Sequence, residues 1–453
     1  MELLIKNGVI VNAGGRQEAD VAVDGGKIIK VEKNITPGVQ TEVVDASGLL
    51  VLPGAIDVHT HFELPFGDFF SADDFFSGTR AAACGGVTTV IDFITPEKGE
   101  SLLDAFKKRN ELAASKACID YSFHMGLSEV NDRVLDEMKA VKSAGMPSFK
   151  VFMTYAFRIT ENEFRRTLAE AKSIGALIMV HAEDHEALEA KRAEFIKDGK
   201  TDPWHHYLSR PEDVEGKAVG EAVKLAKSAG AMLYIVHLAC AEGLRAVEKA
   251  QAEGYPVFAE TCPQYLNFTC DVYKRPDGRN FVCSPPIKGK SSLDALWGGI
   301  KSGSINTVAT DHCPFNTCDK DRGKDDFTKI PNGVMGVEIL YPFMLSEAGR
   351  DCLSYERAVE LCSSNPAKIF GLAPAKGVIA PGADADIVLY DAAKDYKILQ
   401  KNMHSTIDYT IWEGISLKGR PVCTFSRGMR VFADGGFKGT AGRGRFIKRV
   451  KYM

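Results

Sequence analysis

Leu49-Leu50-Val51-Leu52-Pro53-Gly54-Ala55-Ile56-Asp57-Val58-His59-Thr60-His61 decides how the rest of the chain is read. The apolar run predicts a buried strand over Ala55–Val58 that ends in His-x-His. Side chains alternate along a strand with a period of two, so His59 and His61 point the same way. Two imidazoles aimed together from a strand end are the beginning of a divalent metal site. Alone the motif is common. It gains weight because Lys150, His181, His237 and Asp311 also stand in or at the ends of apolar, strand-like runs.

Working outward, short apolar strands alternate with amphipathic helical stretches from about residue 53 to 370. The predicted strands are Ala55–Val58, Val87–Phe93, Ile119–Met125, Ser148–Met153, Leu177–Val180, Met232–His237, Val257–Glu260 and Thr307–Thr310. Helices are predicted over Ser101–Ala114, Val134–Ser143, Glu161–Ser173, Lys217–Ser228 and Ala241–Ala252. This alternation implies parallel pairing, and eight repeats predict an α/β fold, a (β/α)8 TIM-like barrel over 53–375. Catalytic groups of such barrels lie at the carboxyl ends of the strands.

The two terminal regions read differently. Asp20–Val23 and Lys27–Glu32 flank Asp24-Gly25-Gly26, a hairpin signal. Lys376–Ile379 and Ala385–Tyr390 flank the turn Pro381-Gly382-Ala383-Asp384. Neither region buries a core alone. Residues 1–52 and 376–453 are therefore expected to combine into one small β-sandwich beside the barrel. The basic stretch Arg443–Lys451 is expected to be an arm on a neighbouring subunit or a solvated tail.

Composition narrows the function. The chain has 453 residues, 45% hydrophobic and 26% charged, which suits a large core. A net charge of −4 gives no reason to expect a nucleic-acid or membrane partner. The eleven cysteines are odd in number and scattered through apolar segments. They predict reduced thiols, and with no signal-peptide layout at the N-terminus the expected location is cytoplasmic.

Each candidate has a plain alternative. His181 and His237 could be hydrogen-bonded core histidines, and Asp311 could cap a helix. Lys150, inside Ser148-Phe149-Lys150-Val151-Phe152-Met153, could snorkel to the barrel mouth. Together they point to metal. A desolvated lysine loses its proton readily, and the neutral amine adds CO2 to give a carbamate, an anionic ligand with two oxygens. Four histidines, one aspartate and that carbamate would satisfy two cations, which together lower the pKa of a shared water to about 7.

At this point the chain resembles the cyclic amidohydrolases, and among them the hydantoinase/dihydropyrimidinase family. The residues that carry the likeness are Asp57-Val58-His59-Thr60-His61, Ser148–Tyr155, Val180-His181-Ala182-Glu183, Tyr234–His237, Glu260–Leu266, Ser284-Pro285-Pro286, Asp311-His312-Cys313 and Phe327–Gly333. The resemblance implies that His59, His61 and Asp311 hold one divalent metal and His181 and His237 the other, with N6-carboxylated Lys150 bridging them. Such ligands suit zinc, manganese, cobalt or iron, with zinc the expected ion. It implies that Tyr155 donates to the reacting carbonyl oxygen and that Asp311 shuttles the proton. Ser284 and Asn332 would grip a cyclic –CO–NH–CO– group, largely through backbone atoms; their plain alternative is a turn role. Ring opening to an N-carbamoyl amino acid, in a homotetramer, is the implied activity.

Related patterns differ in one loop. Dihydroorotases place an arginine shortly after the second histidine, where it meets a substrate carboxylate. Here Phe62-Glu63-Leu64-Pro65-Phe66-Gly67-Asp68-Phe69-Phe70 has no arginine and four phenylalanines. Phe66, with Phe152 beyond Lys150, is expected to wall an apolar ring substituent. An allantoinase-type ureide hydrolase is the nearest alternative. A non-catalytic tetrameric scaffold is disfavoured because every ligand position is filled.

Overall fold

The computed structural model describes residues 1–450, except the side chain of Phe66. Its centre is one eight-stranded parallel sheet in sequence order. The strands are Ala55–Thr60, Val87–Ile94, Asp120–Gly126, Ser148–Phe152, Leu177–His181, Leu233–Ile235, Val257–Thr261 and Thr307–Val308. The barrel closes between the last strand and the first. Thr310 donates to the Asp57 carboxylate through its backbone N–H at 3.2 Å and its hydroxyl at 2.6 Å. The His312 backbone then threads between His59 O and His61 N, at 3.3 and 2.9 Å.

Alternation explains which side chains face inward. Leu177 and Met179 join an apolar cluster with Phe93, Tyr234 and Phe370, whereas Ile178 and Val180 belong to the larger core under the helices. Phe149 and Val151 also face that larger core. The register pairs Lys150 with Met179 and Phe152 with His181, so lysine, phenylalanine and histidine share the inner face.

The termini build two further sheets. Leu3–Lys6, Asp20–Asp24, Lys27–Glu32 and Glu42–Asp45 form one. Seven strands form the other, in which Leu50–Pro53 pairs with both Val9–Asn12 and Ile387–Asp391. Leu3, Ile5, Val21, Val51, Ile387, Leu389 and Phe425 share one core. The predicted hairpin turns on Gly25 and Gly26, both at positive φ (55° and 76°), as a two-residue turn requires. The division into residues 1–52 with 376–453 and residues 53–375 stands as a proposal. Ile398, Ile407, Ile411 and Trp412 cross it to pack in the barrel core.

The C-terminal segment differs from its expectation. Residues 443–450 are not a free solvated tail; they lie on this chain's own barrel. Arg445 O accepts from Tyr121 N at 3.0 Å, and Ile447 N donates to Tyr121 O at 2.7 Å. Arg449 is 1% exposed, with its guanidinium on Ser122 Oγ and Ser148 Oγ, both at 2.9 Å. Nearby, Lys376 Nζ joins the two parts of the fold through Asp120 (2.6 Å) and Asp386 (2.7 Å). All eleven cysteines are free. Among the described residues, no helix is long and apolar enough to cross a membrane.

Candidate metal centre

The strand ends bring the expected residues to one end of the barrel. His59 lies in the first strand, with His61 just past its end. Lys150 lies within the fourth strand and His181 ends the fifth. His237 follows the sixth by two residues and Asp311 the eighth by three. Asp311 Oδ1 is 3.2 Å from His59 Nε2 and 3.1 Å from His61 Nε2. His181 Nδ1 faces His237 Nε2 at 2.9 Å. Ring centroids link His61 to His59 at 5.2 Å, His59 to His237 at 5.4 Å and His237 to His181 at 4.6 Å. Candidate ligand atoms of His59, His237 and Asp311 all lie within 4.8 Å of one another.

The backbone holds these groups in strained places. His237 sits at φ 37°, Asp311 at φ 52° and Tyr155 at φ 77°. Left-handed backbone is uncommon outside glycine and concentrates at functional sites.

Two acids orient the imidazoles. Glu260 Oε1 takes His59 Nδ1 at 2.6 Å and the His237 backbone N–H at 3.0 Å, and its other oxygen accepts from the Tyr234 hydroxyl at 2.9 Å. Glu183 Oε2 meets His181 Nε2 at 2.8 Å and is itself paired with the buried Arg210. A carboxylate on one ring nitrogen fixes the tautomer and leaves the other as a lone-pair donor. Burial holds the His59, His181 and His237 imidazoles below their ordinary pKa, which favours the neutral ligand form. His59 Nε2, His61 Nδ1 and His237 Nδ1 are buried without a hydrogen-bond partner among the described residues. His59 Nε2 stands beside the Asp311 carboxylate with no hydrogen-bond partner among the described residues, and the imidazole and carboxylate donors gathered around it fit divalent cations.

Lys150 lies under this group. It is 1% exposed, with Nζ 4.9 Å from the centre of the Phe93 ring and 5.3 Å from that of Phe152. Burial pulls its pKa down to about 8, against the pull of Asp311 and Glu260. Burial also works against the Asp311 carboxylate, but His59 and His61 hold it below its usual range. For Tyr155, burial pushes the phenol up to about 12. Its ring lies 5.1 Å from His181 and 5.6 Å from Phe157.

Ser284 lies beside the Tyr155 phenol. Ser284 Oγ and Asn332 Oδ1 are buried with no hydrogen-bond partner among the described residues. Phe152 stands 6.0 Å from His181 and 4.8 Å from Phe157, centre to centre. The Phe66 side chain, expected to share that wall, lies outside the described residues. Of the other phenylalanines in its loop, Phe62 is fully buried against Phe75 and takes no part in a wall.

Sequence reasoning assigned no role to Glu260, Glu183, Arg210 or Phe93, although Glu183 and Glu260 stand in the stretches that carry the family likeness. A signal existed for two of them. Glu183 follows His181 at the period of two, and Phe93 lies one residue before the end of the second strand with its ring 4.6 Å from His59 and 5.0 Å from His61.

Comparison with known proteins identifies the family. The amidohydrolase family matches residues 50–431. D-phenylhydantoinase of Escherichia coli O81 (strain ED1a) is 43% identical, with 100% of this chain and 99% of that protein covered. The crystal structure of dihydropyrimidinase from Brevibacillus agri NCHU1002 superposes with a TM-score of 0.98 at 41% identity over 100% of both chains. L-hydantoinase (dihydropyrimidinase) from Arthrobacter aurescens does so at 0.93 and 30%, covering 99% of this chain and 100% of that one. The chain belongs to the amidohydrolase family, on its hydantoinase and dihydropyrimidinase branch.

Proposed function

We propose that this protein is a two-metal hydrolase that opens hydantoin or dihydropyrimidine rings to N-carbamoyl amino acids. The observation that carries the reading is the convergence of the His59 and His61 Nε2 atoms on Asp311, with His237 beside them and a buried lysine whose pKa is pulled to about 8. His59, His61 and Asp311 would hold one ion, His181 and His237 the other, and Lys150, as its carbamate, both. Zinc suits this mixed nitrogen and oxygen set. When bound, the two ions supply an acidified water and polarise the carbonyl.

The chain's own groups do the rest. At neutral pH a useful fraction of Lys150 is the free amine that CO2 needs. The Tyr155 phenol keeps its proton and donates it in a hydrogen bond to the carbonyl oxygen as negative charge develops there. The Asp311 carboxylate, held ready to accept, takes a proton from the attacking water and delivers it to the leaving amide nitrogen. Ser284 and Asn332 fix the ring's –CO–NH–CO– edge, and Phe152 with Phe157 lines the side that an apolar substituent would face. Glu183 already pairs with the Arg210 guanidinium, so that arginine is not offered to a substrate carboxylate.

Metal-loaded enzyme is to be tested on dihydrouracil, 5-substituted hydantoins, allantoin and dihydroorotate. Turnover of the first two to ring-opened N-carbamoyl products is expected. Turnover of allantoin alone would replace the reading with a ureide hydrolase, and no turnover by metal-loaded protein would end it. The proposed homotetramer is checked by light scattering, which should give four times the mass of the chain.

A further inference from the structure

Ser284 and Asn332 sit on separate loops, and a single ring can meet both only if the loops keep a fixed separation. Between them lies a side chain the mechanism does not use. Lys320 ends the short helix Thr317–Lys320 and is 0% exposed. Its Nζ donates to Val282 O at 2.8 Å, Pro331 O at 2.7 Å and Gly333 O at 2.8 Å. An ammonium has three donors, so all three are used on these carbonyls. Pro331 and Gly333 flank Asn332, and Val282 precedes Ser284 by two residues.

The surroundings make this contact specific. Gly333 N donates to Val282 O at 2.9 Å, so the loops touch at the point Lys320 grips. Gly333 runs at φ 155°, and a Cβ there would lie 2.1 Å from Cys313 O, so its loop is wedged from the far side. His206 Nε2 on Cys283 O and the Tyr265 hydroxyl on Pro285 O, both at 2.8 Å, steady the Ser284 loop. Of these three side chains, only Lys320 reaches both loops. Among the described residues no carboxylate pairs with it, and burial works against its charge. A buried ammonium with no counter-ion is costly, and packing alone would be served better by an apolar side chain.

We propose that Lys320 is a positioning residue that clamps the Ser284 and Asn332 loops at the separation one cyclic –CO–NH–CO– group needs. The inference rests on the reading that these two loops hold the substrate. The clamp acts on ring binding and leaves the metal ligands and Tyr155 alone. Its signature is therefore a KM effect without a matching kcat effect.

The test is Lys320→Met in metal-loaded enzyme, assayed on dihydrouracil with metal content measured in parallel. KM is expected to rise at least tenfold, with kcat within about threefold of wild type and metal content unchanged. Lys320→Gln, which keeps two donors, should fall between. A merely structural role would lower the melting temperature and the active fraction while leaving KM alone, and that result would overturn the proposal. Failure of both variants to fold would overturn it too, because the ammonium would then support the whole fold rather than the grip. A crystal structure of wild-type holoenzyme with glutarimide separates the two readings. A ring held away from Ser284 and Asn332 removes the grip and the clamp together. A ring held by both loops, with KM unchanged in Lys320→Met, removes the clamp alone.

Discussion

Reconstitution of metal-free enzyme should depend on CO2, with a pH profile set by the burial of Lys150. The side chain is 1% exposed, and its pKa falls from 10.5 to about 8. That displacement disfavours the ammonium by about 3 kcal/mol. At pH 7.5 it raises the neutral fraction from about 0.1% to about a quarter. Only the neutral amine adds CO2, releasing one proton as the N–C bond forms. At fixed dissolved CO2, the initial rate of carbamate formation should climb about tenfold per pH unit below pH 7 and level off above about 8. A 13C label on CO2 reads the carbamate directly, and recovered activity reads the loaded site. A rate that keeps climbing to pH 10 would mean an ordinary, solvated lysine. Activity recovered without CO2 would mean that no carbamate is involved. The sign of the stability effect follows as well. The unfolded chain binds this proton more tightly, so the apoenzyme gains stability as pH rises from 8 toward 10.5. Lys150→Ala is expected to lose activity and to regain part of it with added short carboxylic acids.

Other substitutions separate the remaining roles. Tyr155→Phe should lower kcat by about 10²–10³, the scale for one lost oxyanion donor, with KM little changed; steady-state kinetics showing a KM effect alone would assign Tyr155 to binding. Glu260→Gln should weaken metal affinity about 10–100-fold by releasing the His59 ring, as measured by chelator competition. An unchanged affinity would show that His59 is oriented by other contacts.

Much of the architecture was legible because it is written in local periods. Strand–helix alternation and the runs ending at His59, His181 and His237 give the barrel, its active end and the inward face. All eight expected strands occur, in sequence order, in one parallel sheet. The lysine could be picked out because a cation inside an apolar strand is energetically conspicuous wherever it occurs.

What the sequence could not show are pairings between distant residues. Glu260 and His59 are 201 positions apart, so nothing local marks that glutamate as the partner of a ligand rather than as any other buried acid. Arg449 reads as part of a solvated basic run, yet its guanidinium is buried against Ser122 and Ser148 of the barrel. Lys320 lies in a polar stretch with no apolar period, and only the folded loops bring three carbonyls to its ammonium. Side-chain alternation and helix amphipathicity act over a few residues and are set by the chain itself. Which carboxylate meets which imidazole, and which loop is tied to which, is decided by the closure of the barrel.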